Sequence, residues 1–477
     1  MINFDLFHLI RFISFDQINF DLIDRRLCRL LFTSGAVMSG FGDSDLKRLF
    51  GIIERTEKER RSGSAGFSFE FEFDTNLSDY PCDRAVSGLI FKGEGPELVS
   101  GNIYIEKGFI KEIEETKVKS ENWIVPRFIN AHTHIGDTML KDPPLGNVYR
   151  SFAVQRDLDA LVKPPNGLKH RFLSQLSAED AVSSMEAAIW DLYQNGVSVF
   201  ADFREGGVDG VHALLAALKN TSSDLVPVIF GRPVHTAGNN ETDADSLGSH
   251  SSSHSSSHSS SHSSSHSTSH SFLDELHHLL EIADGIGVSG VNDLDAYTLS
   301  KMSSKSASRR KKLAIHAGEK DRSDIETAVS LNPDMLIHMT QAVPDDLKIV
   351  ADEDIAITVC VRSNLTTGVG IPPVLDMLDA GIRVSVGTDN VMLNSPDMFE
   401  EIHFLSKIYG LSDDTVFKMA TSAGAEAVGC PFTGTIEVGK KADLLILNSK
   451  SANLKHVRDP LAGYARRARA DDILGII

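Results

Sequence analysis

The chain has 477 residues, of which 41% are hydrophobic and 24% charged, the proportions of a globular protein long enough for more than one structural unit. Its formal net charge of −19 disfavours a nucleic-acid polymer or an anionic membrane as partner, since either repels an acidic surface, but leaves room for a local basic pocket. Cys28, Cys82, Cys360 and Cys430 are scattered without CxxC spacing, so neither a disulfide framework nor a zinc ribbon is expected and the chain reads as cytoplasmic; no apolar run reaches the roughly 18 residues of a transmembrane helix.

Residues 1–37 carry Ile2-Asn3-Phe4-Asp5-Leu6 and again Ile18-Asn19-Phe20-Asp21-Leu22 in an apolar stretch broken by Asp and Arg. That stretch lacks the basic start and clean apolar centre of a secretory signal. Two readings stand: the segment is translated, or translation begins at Met38. Residues 1–78 are grouped as an N-terminal extension, in which 39–78, with its mixed charge run 54–61, reads as a solvated helix or tail. From Ser87, short apolar pieces at 87–91, 97–99, 102–106 and 109–113 alternate with Gly and Lys turns, the spacing of a β-meander within 79–124. A similar patch at 434–447 returns within the C-terminal segment 433–477. The two pieces are expected to join into one small composite β-sandwich domain.

Between them, over 125–432, buried-strand signals alternate with helical stretches, the pattern of a parallel sheet covered by helices. Strands are expected at 123–131, 197–203, 226–231, 285–289, 313–316, 335–338, 355–360 and 383–387, with helices such as 178–195 and 398–409 between some of them. Eight βα units across about 300 residues point to a (β/α)₈ barrel, whose function sits at the C-terminal strand ends. A doubly wound open sheet is the rival α/β fold, but it does not need eight units.

One segment interrupts this order. His250, His254, His258, His262, His266 and His270 recur every four residues in a Ser background. Such a tract has no apolar face to bury and is expected to be a disordered insertion over 249–271. In helical form it would align all six imidazoles on one stripe, so metal scavenging stands beside tolerated low complexity.

The chemistry-bearing residues gather at the strand ends. His132 and His134 are two apart, so on a strand they share a face and begin a metal site; alone, the pair also reads as two surface histidines. His316 ends the fifth strand in Ile315-His316-Ala317-Gly318-Glu319, His338 ends the sixth and Asp389 follows the eighth in Gly387-Thr388-Asp389-Asn390. Four His and one Asp, each closing a strand in a barrel's order, make coincidence a poor account.

This pattern resembles the amidohydrolase superfamily, in its cytosine deaminase, guanine deaminase and chlorohydrolase branch, over roughly residues 85–448. The resemblance rests on Asn130-Ala131-His132-Thr133-His134, His316-x-x-Glu319, His338 and Gly387-Thr388-Asp389-Asn390. Cys360-Val361-Arg362-Ser363-Asn364 adds to it, with Val361 where the family pattern has Pro. The fourth strand region, 285–293, has no Lys that carbamylation could turn into a bridge between two metals, which implies the mononuclear subtype.

The residue chemistry agrees. His132, His134, His316 and Asp389 offer nitrogen and oxygen donors to one divalent cation and leave a position for water. Zinc is favoured by three imidazoles and one carboxylate, with iron as the alternative. Such a cation lowers the pKa of bound water from near 15.7 to about 7, giving hydroxide at neutral pH. Asp389 would accept its proton, His338 orient it, and Glu319 protonate the substrate ring and pass a proton to departing ammonia. The plainer readings are that His338 packs and Glu319 forms a salt bridge.

Arg204, Arg232, Arg362 and Asn364 follow the second, third and seventh strands and are the candidate substrate contacts, since guanidinium forks fit carboxylate, phosphate or carbonyl groups. An ion-pair network of the arginines with Asp202 and Glu205 is the competing reading. The loop 163–171 after the first strand reads as a lid or as a rigid packed loop. The expected activity is deamination of an amino-substituted heterocycle: a nucleobase, nucleoside or pterin-like ring. Hydrolysis of a cyclic amide or carbon–chlorine bond is the alternative, and a non-catalytic binding barrel the remaining one. A small-molecule substrate and a homodimer complete the expected partners.

Overall fold

The computed structural model of the protein describes residues 83–143, 157–164, 166–234 and 272–477. The expectations for the 1–78 extension and for the Ser/His tract fall outside these residues. In chain order the strands are β1 (Arg84–Lys92), β2 (Glu97–Glu106), β3 (Phe109–Glu115), β4 (Trp123–Pro126), β5 (Phe128–His134), β6 (Val197–Arg204), β7 (Val226–Gly231) and β8 (Gly285–Val288). They continue as β9 (Lys312–Ala317), β10 (Met335–His338), β11 (Ala356–Val359), β12 (Val384–Val386), β13 (Asp389–Asn390), β14 (Leu444–Leu447) and β15 (Ile473–Ile476). No helix among the described residues is long and apolar enough to cross a membrane.

Two sheets result. β5 to β11 run side by side in parallel with β12 at one edge and β13 at the other. β12 and β13 are two halves of one eighth strand. The first pairs with β11, the second with β5, and the ring closes as a (β/α)₈ barrel. The break falls at Gly387-Thr388, where a Cβ on Gly387 would stand 2.6 Å from the His132 backbone nitrogen. Only a residue without a side chain lets the eighth strand pass so close to the first. Asn130 stitches the same seam: its Nδ2 donates to Thr388 Oγ1 at 2.8 Å, and its Oδ1 accepts from Thr388 N at 3.1 Å.

The other six strands form one mixed sheet in the order β15-β14-β4-β1-β2-β3. The apolar run 123–131 therefore does not make a single strand. Its first part, β4, pairs with β1 and β14, and its second, β5, enters the barrel. The turn between them is Arg127. Its side chain is fully buried, its guanidinium reaches Asp224 at 2.7 and 3.1 Å, and Nη2 also donates to Val197 O at 2.6 Å. C-terminal chain thus completes the small sheet begun by N-terminal chain, as the two matching patches predicted.

Alternation sorts the barrel's side chains. Ile129, Ala131, Val199, Ala201, Phe203, Phe230, Ala314, Met335 and Ile337 form the inner cluster, while Phe128, Phe200, Ile229, Ile315 and Leu336 join the layer under the helices. The helix Ala178–Gln194 shows how that layer is built: Met185, Ala188, Ile189 and Leu192 recur at helical spacing and are buried, each large side chain contributing about 1.5–3 kcal/mol. Ser177 caps it by accepting from Asp180 N at 3.1 Å.

Candidate metal centre

Three local departures from regular strand aim three of the histidines and Asp389. In β5 the register to β6 slips between Asn130 and Thr133. That extra residue reverses the alternation, so His132 and His134 follow Ile129 and Ala131 onto the inner side. In β9, His316 needs no device because it shares parity with inward Ala314. His338 shares parity with outward Leu336 instead, and reaches the interior because its φ is +74°, with Met339 at +49°. Asp389 has φ +61° at the break in the eighth strand. Left-handed backbone at non-glycine residues costs on the order of 1–3 kcal/mol each, and here the strain sits at the site.

The result is a compact donor set. One ligand atom from each of His132, His134 and His316 lies within 4.8 Å of the others, and the same holds for His132, His338 and Asp389. Asp389 Oδ1 is 3.2 Å from His132 Nε2 and 3.5 Å from His134 Nε2. Neighbours orient the rings from behind. His316 Nδ1 lies 2.8 Å from Val288 O, and His134 Nδ1 lies 3.1 Å from Phe203 O and 2.9 Å from Glu205 Oε1. Facing acceptors, these Nδ1 atoms carry the proton and leave Nε2 with a free lone pair. Ser363 donates to Asp389 Oδ2 at 2.6 Å and Asn390 Nδ2 to Oδ1 at 2.9 Å.

The electrostatics suit a cation. Burial pushes the His132 imidazole down to about 3, against the raising effect of Asp389, and pushes His316 well below its ordinary range. Both imidazoles are therefore neutral at pH 7 and able to donate a lone pair. Burial would raise the Asp389 carboxyl, but the adjacent His132 imidazole, 3.2 Å away, and the other facing imidazoles hold it well below the usual carboxylate range. His132 is fully buried and neither ring nitrogen finds a hydrogen-bond partner. An unpartnered buried imidazole is costly, and a cation at Nε2 would resolve that atom. The donor set therefore fits a divalent metal.

Above it opens a cavity of about 870 Å³, its solvent-facing mouth included, lined by His134, His316, His338, Glu319, Asp389 and Arg232 among others. Glu319 Oε2 is 3.6 Å from His338 Nε2, and burial pushes its carboxyl up to about 7, with His338 opposing and Asp389 adding. His338 is held through Nδ1 by Asn364 Oδ1 at 2.9 Å. Helix Leu168–Leu173 and the residues before it wall one side, through Lys163, Pro164, Lys169 and His170.

The candidate substrate contacts divide. Arg232 lines the cavity, and among the described residues the only acidic charges that act on it are those of Glu205 and Asp293, at no ion-pair distance. Arg204 does not line it: buried, it lies 3.5 Å from Asp202 and 2.9 Å from Glu205, the ion-pair network that was its competing reading. Arg362 is likewise corrected. Its Nε meets Glu401 at 2.7 Å, Nη1 meets Glu400, and Nη2 donates to Ser395 O at 2.7 Å, so its fork anchors the helix Met398–Tyr409. Asn364 is occupied by His338 and Thr340. Arg362→Leu would strand Glu401, whose side chain is 0% exposed, and is expected to lower stability by about 3–5 kcal/mol in urea unfolding. The folded fraction should keep its kcat/KM; lost activity at full stability would return Arg362 to the substrate.

Sequence reasoning missed Lys169, Asp137, Ser363 and Asn390, and saw Glu205 only as a rim partner. Lys169 lay within the flagged 163–171 loop, and Ser363 and Asn390 adjoin named residues, but no local pattern marked what they would touch.

Comparison with known proteins places these residues in a family context. The model described as "Amidohydrolase family" matches residues 123–469. An uncharacterized protein of Methanocaldococcus jannaschii is 29% identical over 405 residues, covering 80% of this chain and 94% of its own. A 5-methylthioadenosine/S-adenosylhomocysteine deaminase of Bacillus cereus is 25% identical over 397 residues, covering 77% of this chain and 82% of its own. The crystal structure of an adenosine deaminase from Xanthomonas campestris with bound zinc superposes with a TM-score of 0.65 at 16% identity, over 83% of this chain and 91% of that one.

Proposed function

Because the chain belongs to the amidohydrolase family, we propose that it is a hydrolytic deaminase of an amino-substituted nitrogen heterocycle (a nucleobase, nucleoside or pterin-like ring) carrying one zinc ion on His132, His134, His316 and Asp389. The observation that carries this reading is the pair of donor groups, His132 with His134 and His316 and His132 with His338 and Asp389, that share His132 at one cavity also lined by Glu319. The Bacillus cereus relative, named as a deaminase of adenosine derivatives, supports the substrate class. A bound divalent cation supplies positive charge and an activated water.

The chain's own groups account for the rest. Water adds to the ring carbon that bears the amino group. Glu319, a protonated carboxyl near neutral pH, gives its proton to the adjacent ring nitrogen, and Asp389 accepts the proton that the water loses. Glu319, now a carboxylate, takes the proton of the added hydroxyl and passes it to the amino nitrogen, which breaks the carbon–nitrogen bond, releases ammonia and leaves a ring carbonyl; the proton held by Asp389 then restores Glu319. His338, fixed by Asn364, hydrogen-bonds the developing charge on the added oxygen. Arg232 is the one expected substrate contact left facing the cavity without a partner among the described residues, placed for a carbonyl or anionic substituent.

Metal analysis of the purified protein, then an ammonia-release screen over purines, pyrimidines, pterins and their nucleosides, tests this reading. The expected result is about one zinc per chain and release from one of these classes. Chloride release or ring opening without ammonia would move the chemistry to the alternative bond, and a metal-free, inert protein would remove the proposal.

A further inference from the structure

Lys169 is buried deeply for a lysine: its side chain is 3% exposed. A strongly hydrated ammonium is held so far from water only when partners replace the water it has lost. It comes from the helix Leu168–Leu173 in the cavity wall, not from the barrel itself. Its Nζ donates to Asn390 Oδ1 at 2.9 Å, stands 2.5 Å from Glu205 Oε1 and lies 3.6 Å from Asp137 Oδ2. Three barrel-end segments thus meet at one cation: after strand one, after strand two and at the eighth strand.

Two of these partners lead directly to members of the donor set. The same Glu205 Oε1 is 2.9 Å from His134 Nδ1. Asn390 has one acceptor and one donor end. With Oδ1 held by Lys169, Nδ2 is the end that turns to Asp389, donating to Oδ1 at 2.9 Å. A carboxamide released from Lys169 could turn over and put an acceptor against that carboxylate. Glu205 would likewise lose the cation that holds it behind the His134 ring.

We propose that Lys169 is a positioning residue that orients the metal ligands His134 and Asp389 at once, through Glu205 and Asn390, so that the cavity wall helps assemble the ligand set. This rests on the reading that His132, His134, His316 and Asp389 hold a divalent cation. Groups that orient ligands in this way are typically worth about 10–100-fold in metal affinity.

The test is zinc affinity, measured by chelator competition on metal-stripped full-length protein reloaded with zinc, comparing the unchanged protein with Lys169→Met. The substitution keeps the length and apolar stem but removes the ammonium. Expected are an affinity about 10–100-fold weaker and a metal-free melting transition that remains cooperative. Affinity within twofold of the unchanged protein overturns the inference. If Lys169→Met does not fold, Asn390→Ala, which cuts only the arm to Asp389, carries the same measurement with the same overturning result. A parent protein that binds no zinc marks a different failure, that of the metal reading, and takes the inference down with it.

Discussion

Replacing His316 by alanine is expected to remove bound zinc and to cost about 10³-fold in kcat/KM. That figure converts several kcal/mol of lost charge stabilisation at 1.36 kcal/mol per decade. His316 is a clean choice because its role is divided between its two nitrogens. Nδ1 faces Val288 O, a contact within one wall, which leaves Nε2 as the nitrogen available to the three-histidine group. The ring borders an open cavity, so its removal should shift the metal-free melting temperature by no more than about 2–4 °C, the equivalent of roughly 1 kcal/mol in a larger domain. Zinc at 100 times its dissociation constant should stabilise the unchanged protein by about 2.7 kcal/mol and leave the variant where it was. A His316→Ala protein with full zinc and full ammonia release would sink the site assignment.

Much of this barrel can be read along the chain because a βα unit is a local object. Each buried strand is a short apolar run, and the helix that covers it comes next in sequence, so the 226–231, 335–338 and 398–409 segments could be bounded from their own residues. The donor set was legible for the same reason: His132, His134, His316, His338 and Asp389 each stand where a run of apolar residues stops. Hidden were the features decided by pairs of distant segments. The run 123–131 is apolar apart from Arg127 and Asn130, and nothing local says that Asp224, 97 residues away, turns that arginine into a corner between two sheets. The break at Gly387 depends on how closely the His132 backbone approaches. Arg362 carries a phosphate-binder's fork, yet helix Met398–Tyr409 and the residues before it engage all of it. Even the inward aim of His132, His134 and His338 comes from a bulge and a positive φ rather than from simple alternation. Residue type tells which chemistry is available; long-range pairing decides which groups are left free to perform it.

That distinction gives Glu319 its weight, since it is a carboxyl that no lysine or arginine among the described residues claims. Its neighbours are His338 at 3.6 Å and the acidic Asp389 and Asp324, and burial sets its carboxyl at about 7 rather than its ordinary 4.5. Glu319→Gln is expected to reduce kcat by about 10²–10⁴-fold, the usual weight of a general acid, with zinc content unchanged because Glu319 is outside the ligand set. The pH dependence follows from the direction of the shift. A donor must be protonated, so in the unchanged protein kcat/KM should fall as pH rises through the Glu319 pKa, and this limb should vanish in Glu319→Gln. The stability contribution moves the same way with pH. With the folded pKa raised above the unfolded one, proton binding by Glu319 favours the fold fully below about 4.5 and is lost as pH rises through about 7. Above that pH the native protein must keep an ionised carboxylate in a poorly solvated wall, and glutamine does not. Metal-free Glu319→Gln should therefore melt higher than the unchanged protein at pH 8, with the advantage fading as pH falls below 7. A variant that is inactive but more stable at alkaline pH is what a strained catalytic acid produces. One that loses stability together with activity would show that Glu319 is a structural ion-pair partner and would move the proton chemistry to another group.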